Sequence, residues 1–152
     1  MRKFEIVDRH FIKDNGADSE IYLPKRATPG SAGYDFKAPY DIDIYPTDVV
    51  KFYTNIKVKM PQDEVLKIYI RSSLAIKKRL TLPNFVGIID SDYYSNPDND
   101  GNIIIAFINN GFDVVEIKKG DKIAQGIFEK YHITDDDCPV SDKRTGGIGS
   151  TN

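Results

Sequence analysis

Between Val50 and Met60 the side chains alternate in character almost without a break. Val50, Phe52, Thr54, Ile56, Val58 and Met60 point one way, and Lys51, Tyr53, Asn55, Lys57 and Lys59 point the other. A two-residue period belongs to an extended strand with one face on a core and one face in water, and Pro61 closes it. The stretch "VLKIYI" repeats the pattern with Leu66, Ile68 and Ile70 on one face. Further strands are expected at Ile103–Ile108, Val114–Lys118 and Ile123–Tyr131, separated by the turn sequences "MPQD", "NPDNDG", "NNG" and "KKGD". One short helix is expected from Ser73 to Arg79, with a serine as its N-cap. Many short strands with little helix predict an all-β sandwich or barrel.

With 152 residues the chain has the size of one domain. No repeat divides it. Residues 1–140 are expected to form the domain, and 141–152 a Gly-rich tail with almost no apolar content, mobile unless something binds it. The net charge of −2 and pI near 5.7 provide no bulk field for nucleic acid, so any bound phosphate must be held by local groups. The single cysteine, Cys138, excludes an internal disulfide framework and fits a reducing cytoplasm. The start, "MRKFEIVDRHF", lacks the apolar run of a signal peptide, and Ile103–Ile108 is far too short to span a bilayer. The expectation is a cytoplasmic protein without membrane or nucleic-acid partners. The acidic run Asp135–Asp137 reads as a solvated loop, and His10 and His132 have no partner pattern.

Five stretches carry candidate chemistry. In the tail, "RTGGIGST", the glycines let backbone N–H groups turn toward an anion, with Lys143 and Arg144 adding charge and Ser150 and Thr151 hydroxyls. In "YIRSSLA" a strand ends at Arg71, and Ser72 and Ser73 open the helix, a compact setting for an oxyanion or simply a capped helix. In "AGYDF", Asp35 suits either a turn or the water shell of Mg²⁺. In "GDKIAQGIF", Gln125 falls on the face of Ile123 and Ile127, so an amide points where a hydrophobe would be expected. In "GIIDSDYYSNPDNDGNIIIAFINNG", Asp90 ends an apolar strand, partly desolvated yet able to reach water, as a general base must be. Taken in isolation, turn formation or a salt bridge is the commoner reason for aspartates such as Asp90 and Asp92 in a stretch like this.

Together "AGYDF", "RSSLA", "NFVGIIDSDY", "GDKIAQGIF" and "GGIGST", in that order, resemble the trimeric dUTPase family, which shares its fold with the dCTP deaminases. The resemblance covers Pro29 to Thr151. It implies a distorted jelly-roll, or β-clip, barrel with one short helix, three copies of which enclose three active sites. It implies hydrolysis of dUTP to dUMP and pyrophosphate, with Mg²⁺ carried mainly by the triphosphate. On this chain Asp90 would activate the water, and Tyr93 would lie under the deoxyribose. Asn84, Gly87 and Ile89 would belong to the hairpin that reads uracil. Arg71, Ser72, Ser73 and Gln125 would contact phosphates, and Asp35 would touch the metal through water. Arg144, Gly147, Ile148, Gly149, Ser150 and Thr151 would close over the nucleotide.

The chain departs from the family in several places. Ile148 stands where a stacking phenylalanine is usual, so the lid is expected to be weaker. The arginine-to-glycine spacing leaves the tail arginine's role to either Arg144 or Lys143. "RSS" replaces "RSG", and after Tyr93 the extra "NPDND" lengthens the hairpin, giving a polar Ser95–Asp100 loop that is a candidate surface for a regulatory partner. A dCTP deaminase is the rival enzyme, but it needs a glutamate where this chain has Ala106. A binding or regulatory protein on the same scaffold is the rival of another class.

Overall fold

A computed structural model of the chain describes residues 1–140 and 144–147. Its strands, in chain order, are β1 Lys3–Ile6, β2 Lys25–Arg26, β3 Tyr34–Lys37, β4 Ile42–Ile44, β5 Val49–Tyr53, β6 Ile56–Lys59 and β7 Glu64–Ile70. After the helix α1, Ser72–Lys78, come β8 Leu80–Thr81, β9 Gly87–Asp90, β10 Ile104–Asn109, β11 Val115–Ile117 and β12 Lys122–Lys130. Every pairing is antiparallel. The largest sheet has the order β2-β3-β12-β7-β9. A second runs β5-β10-β8, and the pairs β1-β6 and β11-β4 complete the wall. The result is an all-β jelly roll with one short α-helix. Phe36, Phe52, Phe107, Leu66, Ile105 and Ile123 fill its centre. Among the described residues no helix is long and apolar enough to cross a membrane.

The alternating run from Val50 to Met60 is cut in two. The inward set Phe52, Thr54, Ile56, Val58 and Met60 is buried as the period predicts, but β5 joins β10 whereas β6 joins β1. The break is Asn55, at φ +57° and only 3% exposed, on the face expected to be wet. Its amide exchanges two 2.9 Å bonds with the backbone of Lys13, and Asn55 and Asn102 bond each other twice at 3.0 Å. An asparagine tolerates the left-handed conformation and satisfies the backbone groups that a corner leaves unpaired. Periodicity sees the strands but not the corner.

Two smaller expectations also shift. The helix opens at Ser72, its N-cap position is Arg71, and no serine side chain caps it. In β12 the register shifts between Lys122 and Ala124, so Ile123 and Ala124 are both buried. Beyond the bulge the core face carries Gly126, where an added Cβ would lie 3.0 Å from both Leu66 and Phe36. Gln125 therefore faces away from the core. The bulge inverted the alternation on which its expected position rested.

Near the chain start, both carboxylate oxygens of Glu64, a side chain 3% exposed, accept from the guanidinium of Arg2. The Arg2 hydrogen bond holds the Glu64 carboxyl below its ordinary value, against the opposing effect of burial. A depressed folded-state value contributes stability that is complete above the unfolded-state value of about 4.3, and is lost as pH falls through the folded one. Arg2→Ala is accordingly expected to lower the urea midpoint at pH 7. The gap from the parent should narrow as pH falls below the ordinary carboxylate range and Glu64 becomes protonated in the parent too. A gap that stays constant down to pH 3 would assign Arg2 a packing role instead.

Candidate active site

The long hairpin is built to approach the sheet closely. Gly87 lies opposite Ile68 in the β7–β9 register, and a Cβ there would come 3.0 Å from the Ile68 Cβ, tighter than an ordinary contact, so a side chain would push the two strands apart by a few tenths of an ångström. After Asp90 a 3-10 turn, Ser91–Tyr93, swings the chain off the sheet edge. A cavity of about 360 Å³ opens beside it. Ile68, Leu82, Ile89 and Ile105 contribute apolar wall, while Asn84, Asp90, Tyr93 and Arg144 bring polar groups to it. A mostly apolar concavity with a few aimed polar groups is the usual form of a small-molecule site.

Tyr93 is 8% exposed. Its phenol donates to the Asn102 carbonyl at 2.9 Å and accepts from the Asn99 amide at 2.6 Å. Burial is the largest cause holding its pKa above the ordinary value, so the phenol stays neutral at physiological pH. Arg144 lies across the hairpin with its guanidinium on Asp90 and, at 2.8 Å, on Asp92, and with its central carbon 5.9 Å from the Tyr93 ring centre. Its side chain is 14% exposed, against 47% for Asp90 and 60% for Asp92. Gly147 follows, close enough that an added Cβ would sit 3.3 Å from both the Tyr93 hydroxyl and the Asn99 amide nitrogen.

A second group forms at the other end of β7. Asp35 is buried, one oxygen 2.5 Å from Arg71 and the other 2.8 Å from Lys122. Gln125 stands opposite Asp35 in the β3–β12 register and lies over Gly33, where an added Cβ would meet the Gln125 amide oxygen at 2.5 Å. Two cations around one carboxylate leave the cluster net positive, as an anion site requires. Ser72 and Ser73 lie directly beyond Arg71, both exposed.

The structure therefore sorts the expected residues into two sets. Asn84, Gly87, Ile89, Asp90, Tyr93, Arg144 and Gly147 gather at the hairpin cavity. Asp35, Arg71, Ser72, Ser73 and Gln125 form the other group. Asp90 pairs with Val65, and Arg71 lies six positions farther along the strand (71 − 65), a separation of about 20 Å at 3.3 Å per residue. Within one chain Asp90 and Arg71 stand apart, whereas Gly87, opposite Ile68, lies only three positions from Arg71 (71 − 68), about 10 Å along the strand. Lys143, Ile148, Gly149, Ser150 and Thr151 fall outside the described residues. Reading the sequence missed Lys122 and Asn99. Lys122 was visible beside Asp121 as a charge entering a strand, but the partner it finds across the sheet left no local signal. Asn99 lay in a loop whose polarity suggested exposure, yet within it Asn96 and Asp100 are 4% and 6% exposed.

A family model described as dUTPase matches residues 19–152. A deoxyuridine 5'-triphosphate nucleotidohydrolase of Lactococcus lactis is 41% identical over 152 residues, covering 99% of this chain and 97% of that protein. One from Desulfitobacterium hafniense is 39% identical, covering 88% of this chain and 89% of its own length. Among solved structures, a dUTPase from Streptococcus mutans superposes with a TM-score of 0.73 at 36% identity, covering 87% of this chain and 98% of that one. A match of this extent, on a jelly roll whose hairpin carries Asp90 and Tyr93, shows that the chain belongs to the dUTPase family.

Proposed function

We propose that the chain hydrolyses dUTP to dUMP and pyrophosphate, keeping uracil out of DNA and supplying dUMP. The observation that carries this reading is the hairpin cavity, where one carboxylate and one buried phenol border an apolar space of about 360 Å³. Uracil would enter between Ile89 and the strand wall, read by backbone groups near Gly87 and by Asn84. The deoxyribose would rest on the Tyr93 ring. Asp90 would hold and deprotonate the water that attacks the α-phosphorus in line, with pyrophosphate leaving.

The phosphates would lie against Arg71, Ser72, Ser73 and Gln125. Because that cluster is about 20 Å from Asp90 along β7, the distance supports a homotrimer in which different subunits complete each site. Arg144 already binds carboxylates, and a bound triphosphate would offer it a competing anion. Moving to the outer phosphates would release Asp90 for the water, with Gly147, Ile148, Gly149, Ser150 and Thr151 closing above. Mg²⁺, when bound, would neutralise phosphate charge. Among the described residues no cluster of three or more His, Cys, Asp or Glu side chains could hold it. Both Asp35 oxygens already meet cations, so Asp35 fits the metal only through water. A cytoplasmic setting suits the single cysteine, Cys138, which is exposed as a free thiol.

Ala106 borders the cavity and has no proton to move, which disfavours a deaminase. Incubation of the purified chain with dUTP and Mg²⁺, with dCTP in parallel, is expected to yield dUMP and pyrophosphate and to leave dCTP intact. A uracil nucleotide formed from dCTP would reverse the assignment. Binding of dUTP without turnover would favour a regulatory protein on this scaffold, with the Ser95–Asp100 loop as the surface to probe.

A further inference from the structure

The residues after Tyr93 form a tight knot folded onto the tyrosine. Asn96 donates to the Tyr93 carbonyl at 2.8 Å, and its own amide oxygen accepts from the N–H groups of Asp98 and Asn99 at 3.0 and 3.1 Å. Asp100 is pinned by Lys57 and by the Asp8 N–H, both at 2.7 Å. Gly101 closes the loop at φ +83°, where a Cβ would lie 2.7 Å from the Tyr93 carbonyl oxygen. The Asn99 oxygen accepts from Gly101 N–H at 3.0 Å and from Asn96 at 2.8 Å, leaving its NH₂ aimed at the Tyr93 hydroxyl 2.6 Å away. That hydroxyl is thus held from two sides, giving its proton to Asn102 and receiving one from Asn99.

We propose that Asn99 is a positioning residue for sugar selection, locking the Tyr93 ring so that it cannot yield to a 2'-hydroxyl. The inference rests on the reading that Tyr93 lies under the deoxyribose. A ring bonded through one hydroxyl contact can tilt about it; a second bond from a fixed donor removes that freedom. The loop insertion then has an internal task, because among the described residues the Asn99 amide oxygen is held by Asn96 of the same loop and by Gly101. Gly147 packs against the Asn99–Tyr93 pair, so the same lock forms the surface on which the described part of the tail rests.

The test is steady-state kinetics with dUTP and UTP for the full chain. Asn99→Ala is expected to lower the ratio of kcat/KM for dUTP over UTP about tenfold, while kcat for dUTP changes less than about threefold. Tyr93→Phe should lose a similar amount, and the double variant no more than either, because both act through one hydroxyl. Asn99→Asp keeps the acceptor oxygen that folds the loop but removes the donor. It should lose discrimination as well, and it answers the question if the alanine variant does not fold. Unchanged discrimination in both Asn99 variants while Tyr93→Ala loses it would overturn the proposal and leave the tyrosine's role standing. Equal losses for dUTP and UTP would reduce Asn99 to a structural residue. Unchanged discrimination in Tyr93→Ala would overturn the sugar reading and this inference with it.

Discussion

Asp90→Asn is expected to lower kcat for dUTP by about 10²–10⁴-fold, the usual contribution of a positioned general base, with dUTP affinity almost unchanged. Asparagine matches aspartate in shape, so β9 and the turn after it should keep their path, but an amide cannot accept the proton that the attacking water must lose. The charge change works in favour of binding, since a carboxylate near a triphosphate repels it. It also weakens the resting contact of Arg144, which would keep only Asp92 at 2.8 Å as an anionic partner. Single-turnover kinetics alongside calorimetric binding of dUTP separates the two effects. Asp92→Asn is the internal comparison: Asp92 shares the arginine but lies more exposed, at 60%, so its loss should be far smaller. Full turnover with normal binding in Asp90→Asn would remove Asp90 from the mechanism.

The parts of this molecule that were legible in the sequence are those determined locally. Leu66 and Ile68, with Phe52, Val58 and Met60, are buried where a two-residue period puts them, and the helix was misplaced by one residue. Features that depend on distant pairing were not legible. The corner at Asn55 needs Asn102 and the backbone of Lys13, 47 and 42 residues away along the chain. The outward turn of Gln125 follows from a bulge that no turn residue announces. For the site, resemblance supplied the candidate residues, and the structure grouped most of them, but in two places. The sequence order of five stretches does not say whether one chain or several complete a site. The strand register adds that Asp90 faces Val65, six positions short of Arg71 (71 − 65).

Two inactive variants, co-expressed, are therefore expected to restore activity to each other. On the proposed roles, Arg71→Ala removes a phosphate contact and Asp90→Asn removes the base, so each alone should fall to about 1% of parent turnover or below. Arg71→Ala should still fold, since Asp35 keeps Lys122 at 2.8 Å and its buried charge is not stranded. In a closed symmetric trimer, let a site take its arginine cluster from one subunit and its hairpin from another. With equal amounts of both chains, half the sites draw an intact arginine cluster, and half of those draw an intact Asp90. About a quarter of the sites are then complete, although no chain in the mixture is. If both groups served a site within one chain, no combination of these variants could assemble a working site and the mixture would stay inactive. Recovery near a quarter, absent when the singly purified variants are assayed apart, would establish a site shared between subunits. An inactive mixture of well-folded trimers would refute it, and would require a rearrangement closing the roughly 20 Å between Asp90 and Arg71 within one chain.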